Sequence, residues 1–156
     1  DYEFIYCTIG NPHCINFQSN YPACYLGNAD YEITDANGNV ISKTPSFMKY
    51  KLVNSIIYGE STNEEELGIY DGGRPANVTL QVIDHCQIKT KIQGLGINGN
   101  IINTDPKFKD RCKYNYELDT LAPAVNKALP LTGVVDFDIK GTPRDNTPCI
   151  GAYERN

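Results

Sequence analysis

The sequence predicts an all-β fold of short strands stacked in parallel, a parallel β-helix carrying one inserted β-hairpin. Three observations predict it. Helix signals are poor: the 156 residues include 11 Tyr, 13 Gly, 9 Pro and many Asn, a composition that favours strands and turns over long helices. One short apolar pattern recurs along the chain. Asn37-Gly38, the strongest short hairpin signal, lies between two alternating runs.

The recurring pattern is Phe4-Ile5-Tyr6-Cys7-Thr8-Ile9, Leu52-Val53-Asn54-Ser55-Ile56-Ile57 and Ile83-Asp84-His85-Cys86-Gln87-Ile88. Aligned on Cys7, Ser55 and Cys86, each copy has a large apolar residue three before this small anchor (Phe4, Leu52, Ile83). Each has isoleucine two after it (Ile9, Ile57, Ile88). A looser copy surrounds Ile101-Ile102. A fold that stacks coils about 4.8 Å apart places like residue on like, and a small anchor leaves room for its neighbours. Tyr6, Asn54 and His85, just before the anchors, form the expected structural turn stack. Asn at that place bonds along the stack to neighbouring backbone; only Asn54 keeps it, so such a ladder is broken here.

Uneven anchor spacing requires insertions, over about residues 12–50 and 60–77. The first holds the hairpin, Tyr31 to Ile41. The second begins with an acidic loop, Glu60 to Glu66, and continues through Asp71-Gly72-Gly73-Arg74-Pro75. The nearest approach to a helix, Thr120 to Leu129, contains Pro123 and allows at most a short turn. Rungs thus occupy residues 1–110 and a closing segment residues 111–156, within one domain. Asp1 stands directly before an apolar run with no initiator Met, so the chain reads as a fragment, with its export signal and earlier rungs upstream.

The formal net charge is −5, and the 14 basic residues are scattered. That argues against nucleic acid, whose phosphates need clustered Lys and Arg. No stretch reaches the roughly 20 apolar residues of a membrane span. Six cysteines at no familiar spacing, without C-x-x-C, and two distant histidines, His13 and His85, support no zinc site. Cys7 and Cys86 read as packed interior thiols. Cys14–Cys24 and Cys112–Cys149 are the candidate disulfides.

Candidate chemistry is sparse. Asp35-Ala36-Asn37-Gly38-Asn39 begins like a calcium loop, but Ser46 stands where the bidentate Glu belongs, so a turn is expected. Asp84-His85 as an acid–base pair is disfavoured because neighbours on a strand face opposite ways. Glu64, Glu65 and Glu66 read as a solvated loop. The glycines around Gly94-Leu95-Gly96 lack a phosphate-loop pattern, and no Gly-x-Ser-x-Gly elbow occurs. No catalytic, metal or cofactor residue is assigned. Tyr21, Tyr25, Tyr31, Tyr58 and Tyr70, in or beside the insertions, are candidate glycan contacts, because flat amphipathic rings suit sugar stacking.

The C-terminal third carries a family resemblance. Asp105-Pro106-Lys107-Phe108-Lys109-Asp110, then Tyr116-Glu117-Leu118 with Pro123-Ala124-Val125-Asn126, then Asp138-Ile139-Lys140-Gly141-Thr142-Pro143-Arg144 with Ile150-Gly151-Ala152-Tyr153-Glu154 follow one another in order. They resemble the D-P-x-F-x-D, Y-x-L … S-P-A-I-D-x-G and D-I-D-G-N-P-R … D-I-G-A-Y-E elements of bacterial parallel β-helix proteins of the choice-of-anchor Q type. Ala122, Asn126, Ala128, Lys140, Thr142 and Cys149 depart from that pattern. The resemblance implies a right-handed helix, seen here as its last rungs plus a C-terminal cap. Asp138, Arg144, Tyr153 and Glu154 would be structural cap residues. The cap would cover an end face, with Arg144 clasped to Asp136, Asp138 or Glu154. It further implies an exported or surface lipoprotein with a possible upstream lipid anchor: a non-catalytic module whose partner is a polysaccharide. The alternatives are the tail of a lyase-like glycan-degrading enzyme with catalytic residues upstream, or a structural and adhesive surface protein.

Overall fold

A computed structural model describes residues 1–11 and 20–155; His13 and Cys14 lie outside the described residues. The fold is all-β. Among the described residues, its regular elements are thirteen short strands and two single 3-10 turns, Pro75–Asn77 and Arg111–Lys113. Among the described residues, no helix is long and apolar enough to cross a membrane.

The sequence repeats become three strand–turn–strand corners. They are β1 (Tyr2–Ile5) with β2 (Thr8–Asn11), β6 (Met48–Val53) with β7 (Ile56–Gly59), and β9 (Val78–Asp84) with β10 (Gln87–Ile88). β1, β6 and β9 pair in parallel, in that order, with Phe4 opposite Leu52 and Leu52 opposite Ile83. β2, β7, β10 and β11 (Ile101–Ile102) form a second parallel sheet that aligns Ile9, Ile57, Ile88 and Ile102. A third pair, β3 (Cys24–Gly27) and β8 (Leu67–Tyr70), is also parallel. Leu52, Ile57, Leu67, Cys86 and Ile88 are fully buried between these sheets, with Phe4, Ile9 and Ile69 packed against them.

Each corner turns on one left-handed residue: Tyr6 (φ 53°), Asn54 (φ 52°) and His85 (φ 47°). The anchors link successive corners. The Cys7 N–H donates to Ser55 Oγ at 3.1 Å, and the Cys86 N–H donates to Asn100 Oδ1 at 2.8 Å. Asn54 does not bond along the stack. Its amide reaches sideways, accepting from the Leu129 N–H and donating to the Leu129 carbonyl, both at 2.8 Å.

The hairpin forms as expected from β4 (Tyr31–Thr34) and β5 (Val40–Thr44), antiparallel. Its turn closes on Asp35, whose carboxylate accepts from the Asn37 and Asn39 N–H groups. Glu66 corrects the solvated-loop reading. Its side chain is fully buried, and its carboxylate accepts from the Ser61 and Ala23 N–H groups at 2.6 and 2.9 Å. The loop folds around this carboxylate.

The last strand before the closing segment, β12 (Phe108–Asp110), pairs antiparallel with that segment's first strand, β13 (Asn115–Leu118). The segment then runs back along the flank of the second sheet. Ile150, Ala124, Cys149 and Leu118 bury Ile56. The Gly151 N–H donates to the Asn54 carbonyl and the Ala152 N–H to Thr8 Oγ1. It therefore straps the corners together from the side, where the expectation was a cover over an end face. Cys24 and Cys149 are free thiols, so neither candidate disulfide forms; Cys112 is disulfide-bonded. Cys86 is the packed interior thiol expected, and burial pushes it up to about 12; Cys7 is half-buried.

Leu52 occupies the middle of the apolar column. Leu52→Ala is expected to destabilise the fold by about 2–5 kcal/mol, the range for a buried leucine truncated where neighbours cannot collapse. Chemical denaturation measures it, and a loss below about 1 kcal/mol would contradict the column.

Candidate functional site

The strongest candidate is the outer face of the β3–β8 pair. Along β3, Cys24 and Leu26 point inward and Tyr25 and Gly27 outward; along β8, Leu67 and Ile69 point inward and Gly68 and Tyr70 outward. The register sets Tyr25 opposite Gly68 and Gly27 opposite Tyr70. Each tyrosine thus faces a glycine, and the two rings are diagonal neighbours.

The glycines shape the surface. A Cβ at Gly68 would sit 2.8 Å from Tyr25 Cδ2, and one at Gly27 would sit 3.4 Å from Tyr25 Cε1. Opposite edges of one ring therefore rest over two glycines. The ring lies across the sheet, one side on the backbone and the other in solvent; Tyr25 is 59% exposed and Tyr70 50%. Pro22 Cγ also lies 3.4 Å from the Cβ position at Gly68. Tyr2 donates from its hydroxyl to the Gly27 carbonyl at 3.1 Å.

The ends of these strands are braced. Asp30, just beyond β3, has a carboxylate only 2% exposed, paired with Arg74 and, at 3.4 Å, with Lys43. The Arg74 contact chiefly holds the Asp30 carboxyl below its usual range. These pairs anchor the hairpin at the strand end where Tyr70 stands.

Of the five candidate glycan-contact tyrosines, Tyr25 and Tyr70 share this face, and Tyr21 is exposed. Tyr31 is on the hairpin, 68% exposed. Tyr58 is half-buried on the second sheet against the strap, with Lys89 Nζ 5.8 Å from its ring centre. Gly27 and Gly68 were not singled out. Their signal was present, since Cys24-Tyr25-Leu26-Gly27 and Leu67-Gly68-Ile69-Tyr70 are complementary alternations.

The closing-segment residues make a structural latch. Arg144 lies 3.9 Å from the centre of the Tyr6 ring and donates to Glu154 at 3.0 Å, both side chains being 4% exposed. It also donates to the Cys149 and Gly151 carbonyls. Of the three acidic partners considered, the clasp is with Glu154. Asp138 binds backbone instead, accepting from the Lys140, Thr142 and Glu154 N–H groups at 2.8 Å each. Burial alone would raise its pKa; these N–H donors outweigh that and hold it below the usual carboxylate range. Tyr153 is half-buried under Lys140.

Asp84 and His85 do hydrogen-bond, Oδ1 to Nδ1 at 2.6 Å, contrary to the sequence reading. The left-handed His85 backbone breaks strand alternation and swings both side chains to one side. His85 Nε2 abuts Gly99, 2.6 Å from where a Cβ would stand. Among the described residues, no group of three or more His, Cys, Asp or Glu is placed to hold a metal ion. The outward positions of β3 and β8 carry phenols and glycines alone, groups that stack and hydrogen-bond but have no acid–base pair.

Comparison with known proteins finds no matching family model, curated protein or solved structure.

Removing one partner of the desolvated clasp leaves a buried charge. Arg144→Met or Glu154→Gln is expected to cost about 3–5 kcal/mol and to open residues 120–155 to limited proteolysis while the Leu52 column stays protected. Asp138 sets an acid limit. Its folded pKa lies below the unfolded one, so its contribution is complete above about pH 4 and disappears as pH falls through the folded value. Acid titration of strap protection should show that step in the native chain and lose it in Asp138→Asn.

Proposed function

We propose that this chain is the closing part of a right-handed parallel β-helix of the choice-of-anchor Q type, exported and displayed at a bacterial cell surface. Its role is that of a non-catalytic, glycan-binding module. Three sets of parallel in-register strands support the coil reading: β1–β6–β9, β2–β7–β10–β11 and β3–β8, with β1-β2-β3 and β6-β7-β8 succeeding one another in the same order. The ordered tail motifs support the family, and the use of their Asp, Arg and Glu in one latch agrees with it.

The binding reading rests on one observation: the Tyr25 ring lies flat over Gly27 and Gly68 beside Tyr70. A rigid aromatic surface offers a large contact area with few rotors to immobilise. The apolar face of a sugar ring fits such a surface. The neighbouring phenol hydroxyls supply hydrogen bonds without demanding charge on the ligand, so neutral polysaccharides are the favoured class.

Affinity electrophoresis in gels containing neutral polysaccharides, followed by a glycan array, tests this. The native chain should be retarded by at least one polymer. Tyr25→Ala and Tyr70→Ala should each weaken binding about tenfold or more, equivalent to about 1.4 kcal/mol. Gly68→Ala should also weaken it while keeping both tyrosines, because the new methyl lifts the ring. Tyr31→Ala should bind normally. Binding unchanged in Tyr25→Ala and Gly68→Ala would refute the platform, and silence toward every glycan would move the reading to an adhesive or structural role.

A further inference from the structure

The closing segment holds polar groups that the latch does not use. Phe137 bridges antiparallel to Pro143, and the Arg144 N–H donates to the Asp136 carbonyl at 2.8 Å. Asp136 and Arg144 therefore stand opposite each other on a short two-stranded ribbon. Beside them is a cavity of about 230 Å³, whose lining includes Tyr6, Leu131, Asp136, Arg144, Asp145 and Asn146. It shares no residue with the tyrosine face. It is smaller than the roughly 300–1,000 Å³ pockets that take drug-sized ligands, and suits a small polar molecule.

Arg144 enters the latch with only part of its guanidinium. Glu154 balances its charge at 3.0 Å, Nη1 and Nη2 donate to the Cys149 and Gly151 carbonyls, and the Tyr6 ring covers one face. The side chain is 4% exposed, yet its Nε–H is buried without a hydrogen-bond partner. Leaving such a donor unpaired is costly. Two carboxylates line the same cavity. Asp136 Oδ1 accepts from the Gly133 N–H and Asp145 Oδ1 from the Thr147 N–H, both at 2.7 Å. Among the described residues, the second oxygen of each has no donor, and neither residue has a cationic partner.

A ligand for this cavity must supply positive charge or donors to two carboxylates and an acceptor to one N–H. A metal ion answers the carboxylates alone, and no group of three or more His, Cys, Asp or Glu is placed to hold one among the described residues. An anion answers the N–H and is repelled by both carboxylates. A primary ammonium next to a hydroxyl answers all three groups. We propose that this cavity binds an amino sugar, its ammonium held by Asp136 and Asp145 and a neighbouring hydroxyl oxygen held by the Arg144 Nε–H. The inference is independent of the tyrosine platform, and either can fail alone.

The test is an NMR titration of the ¹⁵N-labelled native chain with glucosamine at about pH 6, where such an amine is protonated. The Gly133 and Thr147 amides, which donate to the two carboxylates, and the Arg144 Nε–H should shift together and saturate. Glucose and N-acetylglucosamine, which lack the ammonium, should bind about tenfold more weakly or not at all, because charge-assisted hydrogen bonds are the stronger ones. Ethylamine, which lacks the hydroxyl, should move the two amides and leave the Arg144 Nε–H in place. Asp136→Asn and Asp145→Asn should each weaken glucosamine about tenfold, and each variant's spectrum reports whether it is folded. Glu64→Gln, which removes the same charge from another loop, should have no effect. Equal affinity for glucose and glucosamine would overturn the proposal, and that comparison needs no variant. So would an Arg144 Nε–H unmoved by glucosamine. Shifts that never saturate would also overturn it, since they report only the general attraction of cations to a chain of net charge −5.

Discussion

The structure depends on a backbone turn made by a single left-handed residue. At Tyr6, Asn54 and His85 the chain changes sheet within one residue, so the strand before and the strand after keep a constant offset. That offset puts Phe4, Leu52 and Ile83 in one column and Ile9, Ile57 and Ile88 in another. Left-handed backbone costs an L-residue about 1–2 kcal/mol. Asn54 and His85 are residue types that tolerate it better than most, and Tyr6 is not. The cost is met because parallel partners on both sides of the turn are already in register, and a slip of one residue would turn every aliphatic side chain outward.

The corner also locates the strap. A left-handed residue projects its side chain away from the stack, and Tyr6 and Asn54 both use that projection to hold Leu129. The Tyr6 hydroxyl donates to its carbonyl at 2.5 Å, and the Asn54 amide pairs with both its backbone groups. The reverse side of the same contact is Arg144, stacked on the Tyr6 ring and tied to Glu154. Turn and latch are one assembly.

The repeats were legible because in-register stacking imposes the same side-chain requirement at every corner, and three copies expose it. The hairpin was legible from Asn37-Gly38, and the latch residues from the tail motifs. What stayed hidden depends on exceptions to strand geometry or on distant partners. Glu66 belongs to an acidic run, and nothing local marks the Ala23 and Ser61 amides that bury it. Asp84 and His85 would face apart only on a strand that continued through His85, and the left-handed turn there ends it. Asn54 pairs with Leu129, 75 residues away, and nothing near it in the sequence marks that partner. The tyrosine face was half legible: the aromatic residues were nominated, but which of them meet depends on β3 pairing with β8.

The glycines of that face make the functional argument stronger than the tyrosines alone. Glycine inside a strand weakens it by roughly 0.5–1 kcal/mol relative to alanine, and β3 and β8 are short strands with little stability to spare. Neither Gly27 nor Gly68 has the positive φ that would require glycine. What requires it is space, because the Tyr25 ring occupies the volume a side chain would fill. An arrangement that only buried tyrosine would cover both faces of the ring, as happens to Tyr6 under Arg144. Here two glycines lower the floor so that one face rests on the sheet and the other remains open. That costs strand stability and exposes apolar carbon to water, a combination that makes physical sense where something flat comes to lie on the open face.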